Sequence, residues 1–182
     1  NKQQLIESRL NNEVSQKKII PGLTSFGKVY KREDLLEVYL AGLLKSVQKL
    51  SLDGVPIVLD LCWGSATSCG EKLFQSLGAD LTVINSQPNG ERINVGCGST
   101  HLKPLREAVL QKKAEMGFAF DGDADRMLAI DGKGRTIDGD HVLYLWGTTL
   151  KDRNELPQNR LVATVMSNLG FEQSWKSKGG LL

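Results

Sequence analysis

Asp121, Asp123 and Asp125 stand at every second position, with Arg126 directly after them, inside the run Gly-Phe-Ala-Phe-Asp-Gly-Asp-Ala-Asp-Arg-Met-Leu-Ala-Ile-Asp at residues 117–131. Three like charges packed that closely repel by amounts of order kcal/mol at an effective dielectric of about 20, unless a cation sits among them. With neither His nor Cys in the run, the donors are all oxygen, which selects a hard ion. The small number of ligands favours Mg2+ over Ca2+. The competing reading is a solvated acidic turn, since Asp and Gly are ordinary turn residues. An EF-hand loop opens with similar alternation, but counted from Asp121 its sixth position is Arg126 instead of Gly and its twelfth is Gly132 instead of Glu.

The flanks say what holds these residues. Phe118–Phe120 and Met127–Ile130 suit two short buried strands, so the acidic loop turns between strands and not between helices, and Asp131-Gly132-Lys133-Gly134 closes the second strand with a tight turn. Upstream, the β-branched run Pro56–Leu61 predicts a strand buried on both faces, followed by the loop Cys62-Trp63-Gly64-Ser65-Ala66-Thr67. A helix over 68–77 with Gly78 just past its end and a strand over 80–85 complete a βαβ unit. Residues 86–101 carry Pro, Asn-Gly and three glycines without periodicity and read as a long loop. Leu105, Ala108, Val109 and Leu110 mark the inner face of the next helix, leaving Arg106, Gln111, Lys112 and Lys113 for solvent. Asp138 or Asp140 caps a helix running to Leu150, and a strand over 161–166 and a helix over 169–178 follow. The class is α/β, a mixed, mainly parallel sheet flanked by helices.

The pattern divides into a middle domain over 31–155 with a partial domain on either side. Residues 1–13 place Leu5, Ile6 and Leu10 at helical spacing, and from Ser15 to Arg32 the periodicity dissolves around Pro21, Gly22 and Gly27 into a linker. Residues 156–182 open a further α/β domain, and a chain that starts at Asn1 and stops at Gly-Gly-Leu-Leu is expected to be an excised fragment. A net charge of +2 spread over 182 residues leaves no electrostatic footprint for nucleic acid or an anionic membrane. No apolar run approaches the ~20 residues a membrane span needs, and there is no secretory pattern, so a cytoplasmic location is the default. Cys62, Cys69 and Cys97 are odd in number and lack Cys-x-x-Cys spacing, which reads as reduced thiols buried as small hydrophobes. Nothing in the pattern fixes an oligomeric state.

Ala119-Phe120-Asp121-Gly122-Asp123-Ala124-Asp125-Arg126 resembles the metal loop of the phosphohexomutase superfamily. Asn94 with Cys97-Gly98-Ser99-Thr100-His101, Asp138-Gly139-Asp140 and Thr164-Val165-Met166-Ser167-Asn168-Leu169-Gly170 look like its bacterial phosphoglucosamine mutase branch, and the likeness runs from about Gly27 to the C-terminus. The resemblance implies a four-domain enzyme in which a phosphoserine on the first domain exchanges phosphoryl groups with a hexosamine phosphate through a bisphosphate. It also implies Mg2+ on the second domain, held by Asp121, Asp123 and Asp125, with Arg126 beside the phosphoryl oxygens as a catalytic residue, and a place in amino-sugar metabolism toward cell-wall precursors. Phosphoryl transfer needs positioning and charge neutralisation, which a metal and a planar guanidinium supply.

The family's Ser-His-Asn-Pro nucleophile segment does not occur in the chain, and Ser99-Thr100-His101 runs on into Leu102 and Lys103, so it is no substitute. The chain alone is therefore expected to be inactive. Two alternatives stand beside this reading: a phosphomannomutase or phosphoglucomutase of the same superfamily, and a non-catalytic metal-binding domain. His101 reads as a surface or capping residue, Trp63-Gly64-Ser65 as structure, and Ala124, where many family members carry Gly, as a minor departure.

Overall fold

A computed structural model describes residues 2–11 and 27–182. Most of the expected linker between Ser15 and Arg32 lies outside the described residues. Contacts divide the chain into two units, residues 1–34 and 35–182. In the first, helix α1 (Lys2–Asn11) forms as its spacing predicts, with Leu5 and Ile6 exposed. Near its end Arg32 grips Asp34 through Nε and Nη2 at 2.8 and 2.7 Å.

The second unit holds a five-stranded sheet in the order β2-β1-β3-β4-β5. Its strands are β1 (Pro56–Asp60), β2 (Asp80–Ile84), β3 (Met116–Phe120), β4 (Met127–Asp131) and β5 (Thr136–Ile137). β1 runs parallel to both β2 and β3, and antiparallel pairing then joins β3 to β4 and β4 to β5. β1 is central and flanked on both sides, which is why its residues Ile57, Val58 and Leu59 are all buried and the run is uninterruptedly apolar. Pro56 is tolerated because it takes the first position of the strand.

Helices cover both faces. On one, Leu105 and Val109 of α4 (Lys103–Lys112) pack on Val58, Ala119 and Ile130. On the other, Phe74 of α3 (Gly70–Ser76) joins Ile57, Leu59 and Leu61, with its ring 5.7 Å from that of Phe118. Helix α2 (Asp34–Ser46) borders an apolar cavity on this second face through Leu43, while its Val38 and Tyr39 are exposed.

Four details depart from the sequence reading. The helix expected from Ser68 begins as a 3-10 turn over Ser65–Ser68 and becomes α-helical only at Gly70. Leu110 is half exposed at 49% and not a core residue. Arg106 is not left to solvent: its Nε donates to the Gly134 carbonyl at 2.8 Å and its Nη2 to Thr136 Oγ1 at 3.1 Å. The turn after β4 carries that carbonyl over the helix, so the guanidinium ties α4 to the hairpin. Residues 161–166 form no strand; a single bridge links Arg160 to Leu181, and Val162 and Val165 are 87% and 101% exposed. An extended apolar run becomes a strand only where a neighbour takes its N–H and C=O groups, and among the described residues none lines up along this one.

Helix α5 (Gly139–Asp152) starts at Asp138, whose carboxylate accepts from the His141 N–H at 3.1 Å while His141 Nδ1 lies 2.6 Å away. Of the two expected caps, Asp138 is the one used. Asp140 instead accepts from Asn168 N–H and Nδ2 at 2.9 and 2.6 Å, and Asn168 caps α6 (Leu169–Ser177) by accepting from Phe171. Among the described residues no helix is long and apolar enough to cross a membrane.

A candidate metal centre

The acidic loop joins the antiparallel strands β3 and β4, as the apolar flanks require, and so rules out the helix-flanked EF-hand arrangement. It leaves β3 at the carboxyl end of the three parallel strands, the end where ligand loops gather in open α/β sheets. Ala124 N–H donates to the Asp121 carbonyl, and Asp121 N–H donates to the Arg126 carbonyl, both at 3.2 Å. The turn places Ala124 at φ +60°, in the left-handed region, so the residue expected to be a minor departure occupies a position that favours glycine.

One carboxylate oxygen from each of Asp121, Asp123 and Asp125 lies within 4.8 Å of the others. Two oxygens on opposite sides of one Mg2+ stand about 4.2 Å apart, so the three donors are near the spacing a single hard ion requires. Asp121 is buried at 1% exposure, while Asp123 and Asp125 face solvent. Burial pushes the Asp121 carboxyl up, but hydrogen bonds from Arg126 more than offset this and hold it below its ordinary value. Asp125 is pushed up, first by sharing a hydrogen bond with Asp121 and then by burial and by the charges of Asp123 and Asp121. The cluster thus carries the mutual repulsion that a cation would relieve.

Arg126 is tied back onto this cluster. Its backbone N–H and its Nε donate to the two oxygens of Asp121 at 3.2 and 2.7 Å, and Nε lies 3.4 Å from Asp125. Its side chain is nevertheless 69% exposed.

Two further loops press on the acidic loop. Ser65 N–H donates to the Gly122 carbonyl at 2.9 Å, and a side chain at Gly64 would collide with that carbonyl. A side chain at Gly122 would collide with Ile93, and one at Gly98 with Cys62 Sγ and the Phe120 carbonyl. Trp63-Gly64-Ser65, read as structure, therefore abuts the site, and Arg92 stacks 5.0 Å over the Trp63 ring.

Both loops converge on Asp60, which the sequence reading passed over. This carboxylate ends β1, is 0% exposed, and accepts from Cys62 N–H at 3.0 Å, Asn85 Nδ2 at 2.9 Å and Gly98 N–H at 2.8 Å. The available signal was an acidic residue closing an otherwise apolar, doubly buried strand.

The cysteines are free, with Cys62 and Cys97 buried 3.8 Å apart, and burial followed by the bond to Cys62 pushes the Cys97 thiol up to about 12. Such a thiol is inert, in keeping with the reading of Cys62 and Cys97 as buried small hydrophobes, whereas Cys69, read the same way, is only partly buried. His101 is exposed and ends the 3-10 turn over Gly98–Thr100, its N–H donating to the Gly98 carbonyl at 3.0 Å.

The sequence pattern of phosphoglucomutase/phosphomannomutase alpha/beta/alpha domain II matches residues 37–134, more than half of the chain, and that of domain III matches residues 138–182. The chain belongs to the phosphoglucomutase/phosphomannomutase family. Among its relatives are proteins named phosphoglucosamine mutase from two Prochlorococcus marinus strains, MIT 9303 and MIT 9313, 63% and 64% identical over the full chain. The chain spans 39% of the length of each. The crystal structure of a phosphoglucomutase/phosphomannomutase family protein from Burkholderia thailandensis superposes with a TM-score of 0.67 at 26% identity, over 85% of this chain and 33% of that one. The α/β class and the phosphohexomutase resemblance both stand on these matches. The chain is thus a phosphohexomutase fragment, and its acidic loop lies within the segment matched as domain II.

Proposed function

We propose that the protein to which this segment belongs is a phosphoglucosamine mutase, an intramolecular phosphotransferase interconverting glucosamine 6-phosphate and glucosamine 1-phosphate. The chain would supply the end of one domain, a metal-binding α/β domain and the start of the next. The observation that carries the reading is the convergence of Asp121, Asp123 and Asp125 within 4.8 Å, inside a segment matched as a phosphomutase domain. The names of the relatives at 63% and 64% identity favour glucosamine phosphate among the family's hexose phosphates.

In this reading Asp121, Asp123 and Asp125 hold Mg2+, which when bound neutralises charge on a phosphoryl group carried by a serine outside this chain. A bisphosphate sugar forms between the two transfers. Arg126 bonds Asp121 through Nε, and its largely exposed guanidinium would offer the Nη donors to phosphoryl oxygens. Replacement by Lys would keep the charge and lose the planar fork. The isolated chain, which lacks a Ser-His-Asn-Pro segment, would bind the ion and not turn over substrate. The location is cytoplasmic.

The test is Asp123→Asn in the full-length parent. It should abolish interconversion of the two glucosamine phosphates while leaving circular dichroism unchanged; undiminished turnover in the variant overturns the proposal. Assaying the parent with glucosamine, mannose and glucose phosphates separates this assignment from phosphomannomutase and phosphoglucomutase. A parent inactive on all three would point to a non-catalytic metal-binding domain.

A further inference from the structure

Asp60 does not belong to the acidic loop, carries no ion-pair partner among the described residues, and is fully buried. A lone carboxylate in a protein interior costs several kcal/mol unless its oxygens are hydrogen-bonded. The three donors that satisfy it come from three separate segments: Cys62 after β1, Asn85 after β2, and Gly98 in the long loop that follows. All three donor residues lie in the left-handed region, at φ +55°, +53° and +70°. Such conformations persist in non-glycine residues only where the surroundings over-determine them. Asp60 is the group that the two non-glycine positions, Cys62 and Asn85, share with Gly98.

These segments are also the ones that bear on the acidic loop. The 62–65 turn reaches it through the Ser65 N–H bond to Gly122 and the contact of Gly64 with the same carbonyl. The 92–98 loop reaches it through Ile93 on Gly122 and Gly98 against the Phe120 carbonyl, one residue before Asp121. A second tie locks the two loops together: the Cys62 thiol donates to Asn94 Oδ1 at 3.1 Å. The backbone between Phe120 and Gly122 is therefore held between two walls whose separation Asp60 sets from inside.

We propose that Asp60 is a positioning residue for the metal loop, fixing the 62–65 turn and the 92–98 loop so that the three aspartates stand at the spacing one divalent cation requires. The inference rests on the reading of Asp121, Asp123 and Asp125 as a metal site. An amide side chain at position 60 has one acceptor atom where the carboxylate has two, so at least one of the three N–H donors would face another donor. The walls would shift and the loop with them.

The experiment titrates Mn2+ into the 182-residue chain, wild type and variants, and follows free and bound ion by electron paramagnetic resonance, with circular dichroism to confirm folding. Asp60→Asn should raise the Mn2+ dissociation constant about tenfold or more, the scale on which groups behind metal ligands act. It should also change the line shape of the bound ion at saturation, which a loss of stability alone would not do. Asn85→Gly removes one donor while keeping the left-handed backbone, and should give a smaller change of the same sign. A folded Asp60→Asn chain with wild-type affinity and line shape overturns the proposal; if Asp60→Asn does not fold, unchanged behaviour of Asn85→Gly does so. Asp123→Asn is the control for the underlying reading. If wild type and Asp123→Asn bind Mn2+ equally or not at all, the metal site itself fails and Asp60 has nothing to position.

Discussion

Among the described residues two carboxylates are buried, Asp60 at the end of β1 and Asp121 just past the end of β3, on neighbouring parallel strands. Their partners are of different kinds. Asp60 is satisfied by three neutral N–H donors, two of them backbone, and among the described residues no cation pairs with it. Asp121 is satisfied largely by Arg126, whose side chain remains 69% exposed and can exchange one partner for another. A carboxylate enclosed by backbone donors has no oxygen to spare and serves as a fixed post. A carboxylate paired with an exposed guanidinium beside two exposed aspartates keeps the option of a metal. Burial alone therefore does not mark a ligand; the nature of the compensating donors does.

The contrast breaks most readily at Asp60. Asp60→Ala strands three donors, each costing about 1–3 kcal/mol when buried and unsatisfied, so a loss of at least about 3 kcal/mol is expected from urea unfolding of the chain. Without metal, Asp121→Ala should cost less, about 1–2 kcal/mol, because the released guanidinium returns to water and one backbone N–H loses its acceptor. If the two costs came out in the reverse order, the distinction between post and ligand would fall.

Asp138 sharpens the comparison as a carboxylate that is neither buried nor beside the site. Asp138→Ala removes the cap of α5 and should cost about 1 kcal/mol at pH 7. Hydrogen bonds from the His141 side chain and backbone hold Asp138 below its ordinary value. A depressed folded value means that the cap's stability is in place above the unfolded carboxyl's pKa of about 3.9 and is lost as pH falls through the lower folded value. Urea midpoints at pH 7 and in acid should show the variant's deficit shrinking at the acid end. The smallest effect is expected from Ala124→Gly. Relief of the left-handed strain is worth about 1 kcal/mol and is largely offset by glycine's extra chain entropy, leaving a net gain under about 0.5 kcal/mol in thermal unfolding.

The elements that hold the site were legible because their residues carry local signals. Pro56–Leu59 is apolar because it is covered on both faces, and the apolar flanks of the acidic loop made β3 and β4. Residues 161–166 have the same apolar character and are not a strand, since pairing is a property of neighbours and not of the run itself. Arg106 on an apparently solvated face was misread for a similar reason: the Gly134 carbonyl that accepts its hydrogen bond is 28 residues away in the chain.

From the sequence alone came the three aspartates, the strands that carry them and the family to which they belong, because spacing and residue type are local and survive without a fold. Only the tertiary structure assigned Arg126 to Asp121, placed Gly64 and Ile93 against Gly122, and gathered Cys62, Asn85 and Gly98 around Asp60. Those contacts join residues up to 58 positions apart, Gly64 and Gly122 being the most distant pair, and they exist because three parallel strands end at the same edge of one sheet.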